Sequence, residues 1–258
     1  MAVAPTSSVR IEPVLTSADR SEFVYLPYRL YRNEPAWVAP LRTDQHDLID
    51  PGENAFFEHG HLQAFLARDD GGRVVGRIAG IVNGMHLQEH EDATGFFGFF
   101  DAVDDYAVTE ALLNRAARWL SEQDLVRMRG PTNPTMMDTA GVLVDGFDRR
   151  PALLMPFNAP HYPEHLERYG LERAMTMWAF YVHKKYMDRD RLRRGAELVR
   201  RRTPEVTSRM VRMDEFDAEA ERIRSIYNDA WSENWGFVPL TEAEFRQLAE
   251  EMEQIVDP

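Results

Sequence analysis

Between Thr94 and Pro134 the spacing of apolar residues changes twice. Phe96, Phe97, Phe99 and Phe100 form a short run around Gly98, rich in β-formers and flanked by glycine, which predicts a buried strand. Asp101, Asp104 and Asp105 then interrupt it. Val108, Ala111, Leu112, Ala116, Trp119 and Leu120 follow at helical spacing, with Glu110, Asn114, Arg115 and Arg118 between them. After a turn near Asp124, the stretch Leu125 to Pro131 returns to strand character. Strand, helix, strand predicts two parallel neighbours joined by a right-handed crossover. On a regular strand the phenylalanines alternate, so two rings would share one face.

The same reading places elements on either side of this unit. Ile11 to Leu15 predicts a strand, and Ser21 to Tyr31 a helix kinked or started late by Pro27. Leu62 to Ala67 and Arg73 to Val82 predict a hairpin closed by Asp69, Asp70, Gly71 and Gly72. Asn83 to Ala93 reads as a loop, and Asn158 to Tyr169 as a loop and helix stopped by Gly170. Glu172 to His183, with Met175, Met177, Trp178, Phe180 and Tyr181, reads as a last strand completing a mixed α/β (α+β) sheet flanked by helices.

Near residue 186 the composition shifts. Arginines at 189, 191, 193, 194 and 200 to 202 crowd one helical segment. A strand over Val206 to Met213 and helices over Ala218 to Trp231 and from Thr241 are expected next, the last opening on a Thr241-to-Glu244 capping box. This divides the chain into 1–186, a linker helix 187–205, and 206–258.

The chain has 258 residues, no cysteine and a formal net charge of −13. Disulfides, thiolate nucleophiles and cysteine-bound zinc are excluded. The charge opposes nucleic-acid binding. The N-terminus lacks the pattern of a signal peptide, and no apolar run has membrane-spanning length. A cytoplasmic protein without membrane partners, with homo-oligomerisation left open, is the expectation.

Several strings resemble a bacterial GNAT-like family of unassigned substrate: Phe23 to Tyr31, Trp37 to Pro40, Val75 to Ala79, Gly95 to Phe100, Arg129 to Pro131, Gly141 to Phe147 and Asn228 to Pro239. The resemblance implies a GNAT-like mixed sheet and transfer of an acyl group from acetyl-CoA or another acyl-CoA to a small-molecule amine. It also implies a basic, glycine-rich phosphate loop after the aromatic strand. Here that turn is Asp101 to Tyr106, without glycine and with three carboxylates, which repel phosphate. No CoA is therefore expected on this chain, nor turnover by it alone. The segment from Val206 resembles the opening of a second GNAT-like domain, whose CoA-binding half is expected beyond Pro258 in a longer product. A ligand-binding or scaffold lobe is the alternative, and a tandem aminoacyl transferase the third reading.

Among single residues, the resemblance makes Tyr162 a candidate for the polar group facing the departing thiol; ring packing is the competing role. Phe97, Arg129, Asn133 and Asn158 are candidates for a substrate pocket between the central strands. Arg127 and Arg129 share one strand face, with Met128 on the other. His86 and His90 lie four apart, but the H-E-x-x-H order is missing and no metal is expected. His59 and His61 read as half-exposed histidines.

Overall fold

The computed structural model describes residues 8–207 and 209–253. Five strands, β1 (Arg10–Pro13), β2 (Gly60–Arg68), β3 (Val74–Asn83), β4 (Thr94–Ala102) and β5 (Arg127–Arg129), pair in sequence order. The first three junctions are antiparallel, and β4 with β5 is parallel. The crossover helix α4 (Tyr106–Ser121) buries Val108, Leu112, Leu113, Ala116 and Leu120 against one face. The other face is covered by α1 (Ser17–Leu30) through Phe23, Val24 and Leu26, with the short α2 (Arg42–Asp47) packed beside α1. This is a mixed sheet flanked by helices, as the sequence pattern predicts.

Helix α1 starts at a Thr16–Asp19 capping box and runs through Pro27. Proline has no N–H to give the carbonyl four residues back. That carbonyl, of Phe23, accepts instead from Arg77 Nη1 at 2.8 Å. The helix therefore neither starts late nor loses a buried bond.

The aromatic strand departs from simple alternation. The β3–β4 register shifts between Arg77 and Ala79, and Phe99 sits at φ 50°. This bulge places Phe97 and Phe100 together on the α4 side, and Phe96 with Phe99 on the α1 side. Period two would have paired Phe97 with Phe99.

Beyond Arg129 the chain continues along β4 as β6 (Thr132–Asn133), which meets Gly98 and Phe99 and pairs with β7 (Thr139–Ala140). Asn133 Oδ1 accepts the Phe99 N–H at 2.5 Å. A Cβ on Gly98 would lie 1.7 Å from the Thr132 carbonyl oxygen, so only glycine permits this approach.

Three expectations are corrected. The segment 172–183 forms no strand: Trp178, Phe180, Tyr181 and Val182 are exposed and no neighbouring strand pairs with them. No strand is described over 206–213 either, Ser208 lying outside the described residues. The loop over 83–93 contains a helix, α3 (Gly84–His90), started by Asn83, whose side chain accepts from His86 N.

Helix α5 (Tyr162–Tyr169) ends at Gly170, which adopts φ 105° as the expected stop. Helix α6 (Arg189–Arg202) buries none of its residues. Helices α7 (Phe216–Trp231) and α8 (Glu242–Glu253) contact each other, and α8 reaches back to the sheet domain. The Thr241–Glu244 capping box is formed. Glu244 also meets His59 Nε2 at 3.0 Å, and Gln247 accepts from Ala55 N.

Candidate functional site

A pocket opens on the α1 side of the β4–β5 pair, lined among others by Asn83, His86, Phe96, Arg129, Thr132 and Trp235. Each wall has a local cause. Asn83 caps α3 and so orients His86, whose ring meets Phe96 edge-on at 4.8 Å. Glu91, at φ 48°, ends α3 and turns the chain so that Asp92 points back at that ring. Arg129 is the parallel register partner of Phe96. Its guanidinium lies 5.3 Å from the Trp235 ring centroid, a cation–π distance. The pocket offers about 10 Å³, at the lower limit of what one water occupies.

Asp92 Oδ1 accepts from Thr94 N and faces His86 Nε2, both at 3.1 Å. Burial alone would raise the Asp92 carboxyl, but the bonds from Thr94 and His86 outweigh it and hold it below the usual range. Asp92 is therefore a carboxylate, and the His86 proton facing it belongs on Nε2. Burial pushes the His86 imidazole down more than Asp92 pushes it up. A neutral ring with its lone pair on Nδ1 follows, which is the state of a general base. Arg127 at 3.4 Å and Arg129 at 4.0 Å add positive charge beside Asp92.

Of the four pocket residues expected from sequence, only Arg129 lines this cavity. Phe97 is fully buried on the α4 side, and Asn133 holds the bulge at Phe99. Asn158 accepts from Leu143 N at 2.7 Å and donates to Leu143 and Ala159 carbonyls, without capping α5. The four are not brought into one pocket. Arg127 and Arg129 do share a face, while Met128 packs on the α4 side. Asp92 was missed in the sequence; its only signal was its position two residues past the end of the histidine helix.

Tyr162 lies in a buried network at the end of β4. Its hydroxyl accepts from Ala102 N at 2.7 Å and meets the Tyr31 hydroxyl at 2.9 Å. The Tyr31 hydroxyl donates to Asp101 Oδ1 at 2.7 Å, and Arg77 Nε donates to Asp101 Oδ2 at 2.8 Å. Burial raises Tyr162 well above the ordinary phenol value.

The acidic turn is thereby reduced. Asp101 belongs to β4 and is buried. Asp105 caps α4 at Ala107 N, and Asp104 is largely exposed. Histidines 86 and 90 have rings 4.4 Å apart, yet their Nε2 atoms face Asp92 and the Phe237 carbonyl respectively. His61 Nε2 is 3.4 Å from Gln123.

No family model matches the chain. It is 36% identical over 253 residues to "Bacterial ceramide synthase" of Caulobacter vibrioides, covering 97% of this chain and 65% of that protein. It is 30% identical over 247 residues to "Protein YghO" of Escherichia coli, covering 95% and 62%. The chain thus spans somewhat less than two thirds of these relatives. Among solved structures it is similar to a tandem GNAT protein from the clavulanic acid biosynthesis pathway, with 15% identity, 63% of this chain, 43% of that chain and a TM-score of 0.43. A GNAT-family acetyltransferase from Staphylococcus aureus gives 19% identity, 46% and 69% coverage, and a TM-score of 0.33. Scores this low carry no argument, and the mixed sheet stands on its own strand order.

Proposed function

We propose that this chain supplies the amine-accepting part of an N-acyltransferase, with His86 as the base and Asp92 as the group that orients it. The observation that carries this is the His86 ring 3.1 Å from the Asp92 carboxylate, inside a pocket also lined by Arg129. His86 takes the proton from the amine nitrogen as it attacks the acyl carbonyl. The C–N bond forms, the C–S bond of the thioester breaks, and the proton passes to the departing thiolate. Arg129 is placed to stabilise the oxyanion in between.

A ceramide is the amide of a fatty acid and a long-chain amino alcohol. Carrying the name of the 36% identical relative to this chain makes a long-chain amino alcohol the acceptor. The donor suggested by the GNAT-like sheet is an acyl-CoA, held outside the β4–α4 turn, where Asp104 and Asp105 disfavour a diphosphate. Tyr162 positions the end of β4 in this scheme.

Calorimetric titrations in a chelating buffer test the reading. A long-chain amino alcohol, kept below its aggregation limit, should bind saturably and lose affinity in Asp92→Asn and His86→Gln, while acyl-CoA gives no heat. Amino alcohol binding that both variants leave unchanged overturns the site. Tight acyl-CoA binding that responds to changes at Asp104 overturns the assignment of the turn.

A further inference from the structure

On the opposite side of β4 from the His86 pocket, three ligand-type side chains meet that acyl transfer does not use. Asp104 comes from the turn between β4 and α4. His161 and His165 come from the start of α5, four residues apart and therefore on one helix side. His165 Nε2 lies 3.6 Å and His161 Nδ1 3.9 Å from the same oxygen, Asp104 Oδ1. All three ligand atoms fall within 4.8 Å of one another, and among the described residues no other such group of three forms.

These separations are too long for hydrogen bonds and suit an ion between the groups. Zinc–ligand bonds of about 2.0–2.2 Å put the ligand atoms of a tetrahedral site roughly 3.3 Å apart. Asp104 lies about 0.3–0.6 Å beyond that spacing from each imidazole and can close it, because its side chain is 76% exposed on a turn. The three ligand atoms span up to 4.8 Å, so the two imidazole nitrogens must also approach each other, by up to about 1.5 Å. His165 is buried, and its Nδ1 lies 3.1 Å from the Thr109 hydroxyl, which can accept a hydrogen bond from Nδ1–H and leave the Nε2 lone pair facing Asp104. Tyr106 packs edge-on against the His165 ring, with the Arg168 guanidinium over the far tyrosine ring. The His161 Nε2 is buried and makes no hydrogen bond of regular geometry, with the Ala102 backbone close to the ring.

The geometry points to a binding site for one divalent transition-metal ion at Asp104, His161 and His165, with zinc the best match to two imidazoles and a carboxylate. Three protein ligands leave a fourth position open to water or an anion. An ion there reverses the sign of the local charge at the start of α4, where Asp104 otherwise repels anions. The site shares no residue with the His86 pocket, but it takes Asp104, whose charge the acyl-transfer reading sets against a diphosphate; that reading is tested in chelating buffer, so each can fail without the other.

Cobalt is the probe. Chelator-treated full chain titrated with Co2+ should develop visible ligand-field absorption that saturates at one ion per chain and is displaced by Zn2+. Asp104→Asn and His161→Gln, both at positions outside the core, should each weaken binding at least about tenfold, with the far-ultraviolet circular dichroism unchanged. His165→Ala should abolish it, but this ring is buried, so the other two variants decide. Absence of a cobalt band at stoichiometric ion overturns the site. So does affinity that folded Asp104→Asn and His161→Gln leave unchanged.

Discussion

Arg77 donates from Nε to the Asp101 carboxylate at 2.8 Å across the β3–β4 pair, where the two residues are register partners. The same guanidinium donates from Nη1 to the Phe23 carbonyl that Pro27 leaves open in α1. One buried cation thus joins the strand pair to the helix above it. Asp101→Ala would leave Arg77 and the Tyr31 hydroxyl buried without their acceptor. The expected loss is about 3–5 kcal/mol, read as a lower urea midpoint. Asp101→Asn, which can still accept from Tyr31, should lose less.

Gly98 lies directly against the backbone of β6. Gly98→Ala would put a methyl 1.7 Å from the Thr132 carbonyl oxygen and 2.8 Å from Asn133 Oδ1. Backbone cannot yield as a flexible side chain does, so β6 must lift and release the Phe99 N–H from Asn133. Gly98→Ala is expected to cost at least about 1–3 kcal/mol. Asn133→Ala should cost about 1–3 kcal/mol through the unpaired Phe99 amide. Because both changes break the same contact, the double variant should lose less than the sum, which a double-mutant cycle by urea unfolding measures.

The strand–helix–strand unit was legible because its period switches from two to 3.6 and back over a short span. The capping box at Thr241 and the glycine stop at Gly170 were legible for the same local reason: each is a few residues long. What failed was non-local. The faces of Phe97, Phe99 and Phe100 depend on a bulge whose holder, Asn133, is 34 residues away. The 172–183 segment has the residues of a buried strand, but pairing depends on a neighbour that composition does not reveal. Asp101 looked like part of an exposed acidic turn; its partners Tyr31 and Arg77 lie 70 and 24 residues away. The Asp92 and Asp104 clusters were hidden likewise, each joining a turn to a separate helix.

Glu244 closes the α8 capping box at Thr241 and also faces His59 Nε2, so one carboxylate serves helix start and docking. Burial would raise it, but the bonds from His59 and Thr241 prevail and hold it below the usual value. Glu244→Gln keeps a polar acceptor yet loses the charge. Hydrogen exchange should accelerate at the first amides of α8 and around Ala55, where Gln247 accepts from the backbone. Exchange in β3 and β4 should stay as it was.

His86 gives stability a definite dependence on pH. Its folded-state value lies below the ordinary 6.5, with burial as the largest cause. Above 6.5 neither folded nor unfolded chain carries this proton, and the contribution to stability is at its full level. As pH falls through 6.5 toward the folded value, the unfolded chain takes up the proton first, so unfolding becomes easier. His161 is shifted the same way and adds to the effect. Urea midpoints should therefore drop from neutral pH to about one unit below 6.5, before most carboxylates titrate. His86→Gln should lower the midpoint at neutral pH but shrink its pH slope, since the titrating group is gone. Asp92→Asn removes the carboxylate that favours the charged ring, so the His86 value should fall further and the slope extend to lower pH. A slope identical in wild type and His86→Gln would show that the ring is not the buried neutral group placed beside Asp92.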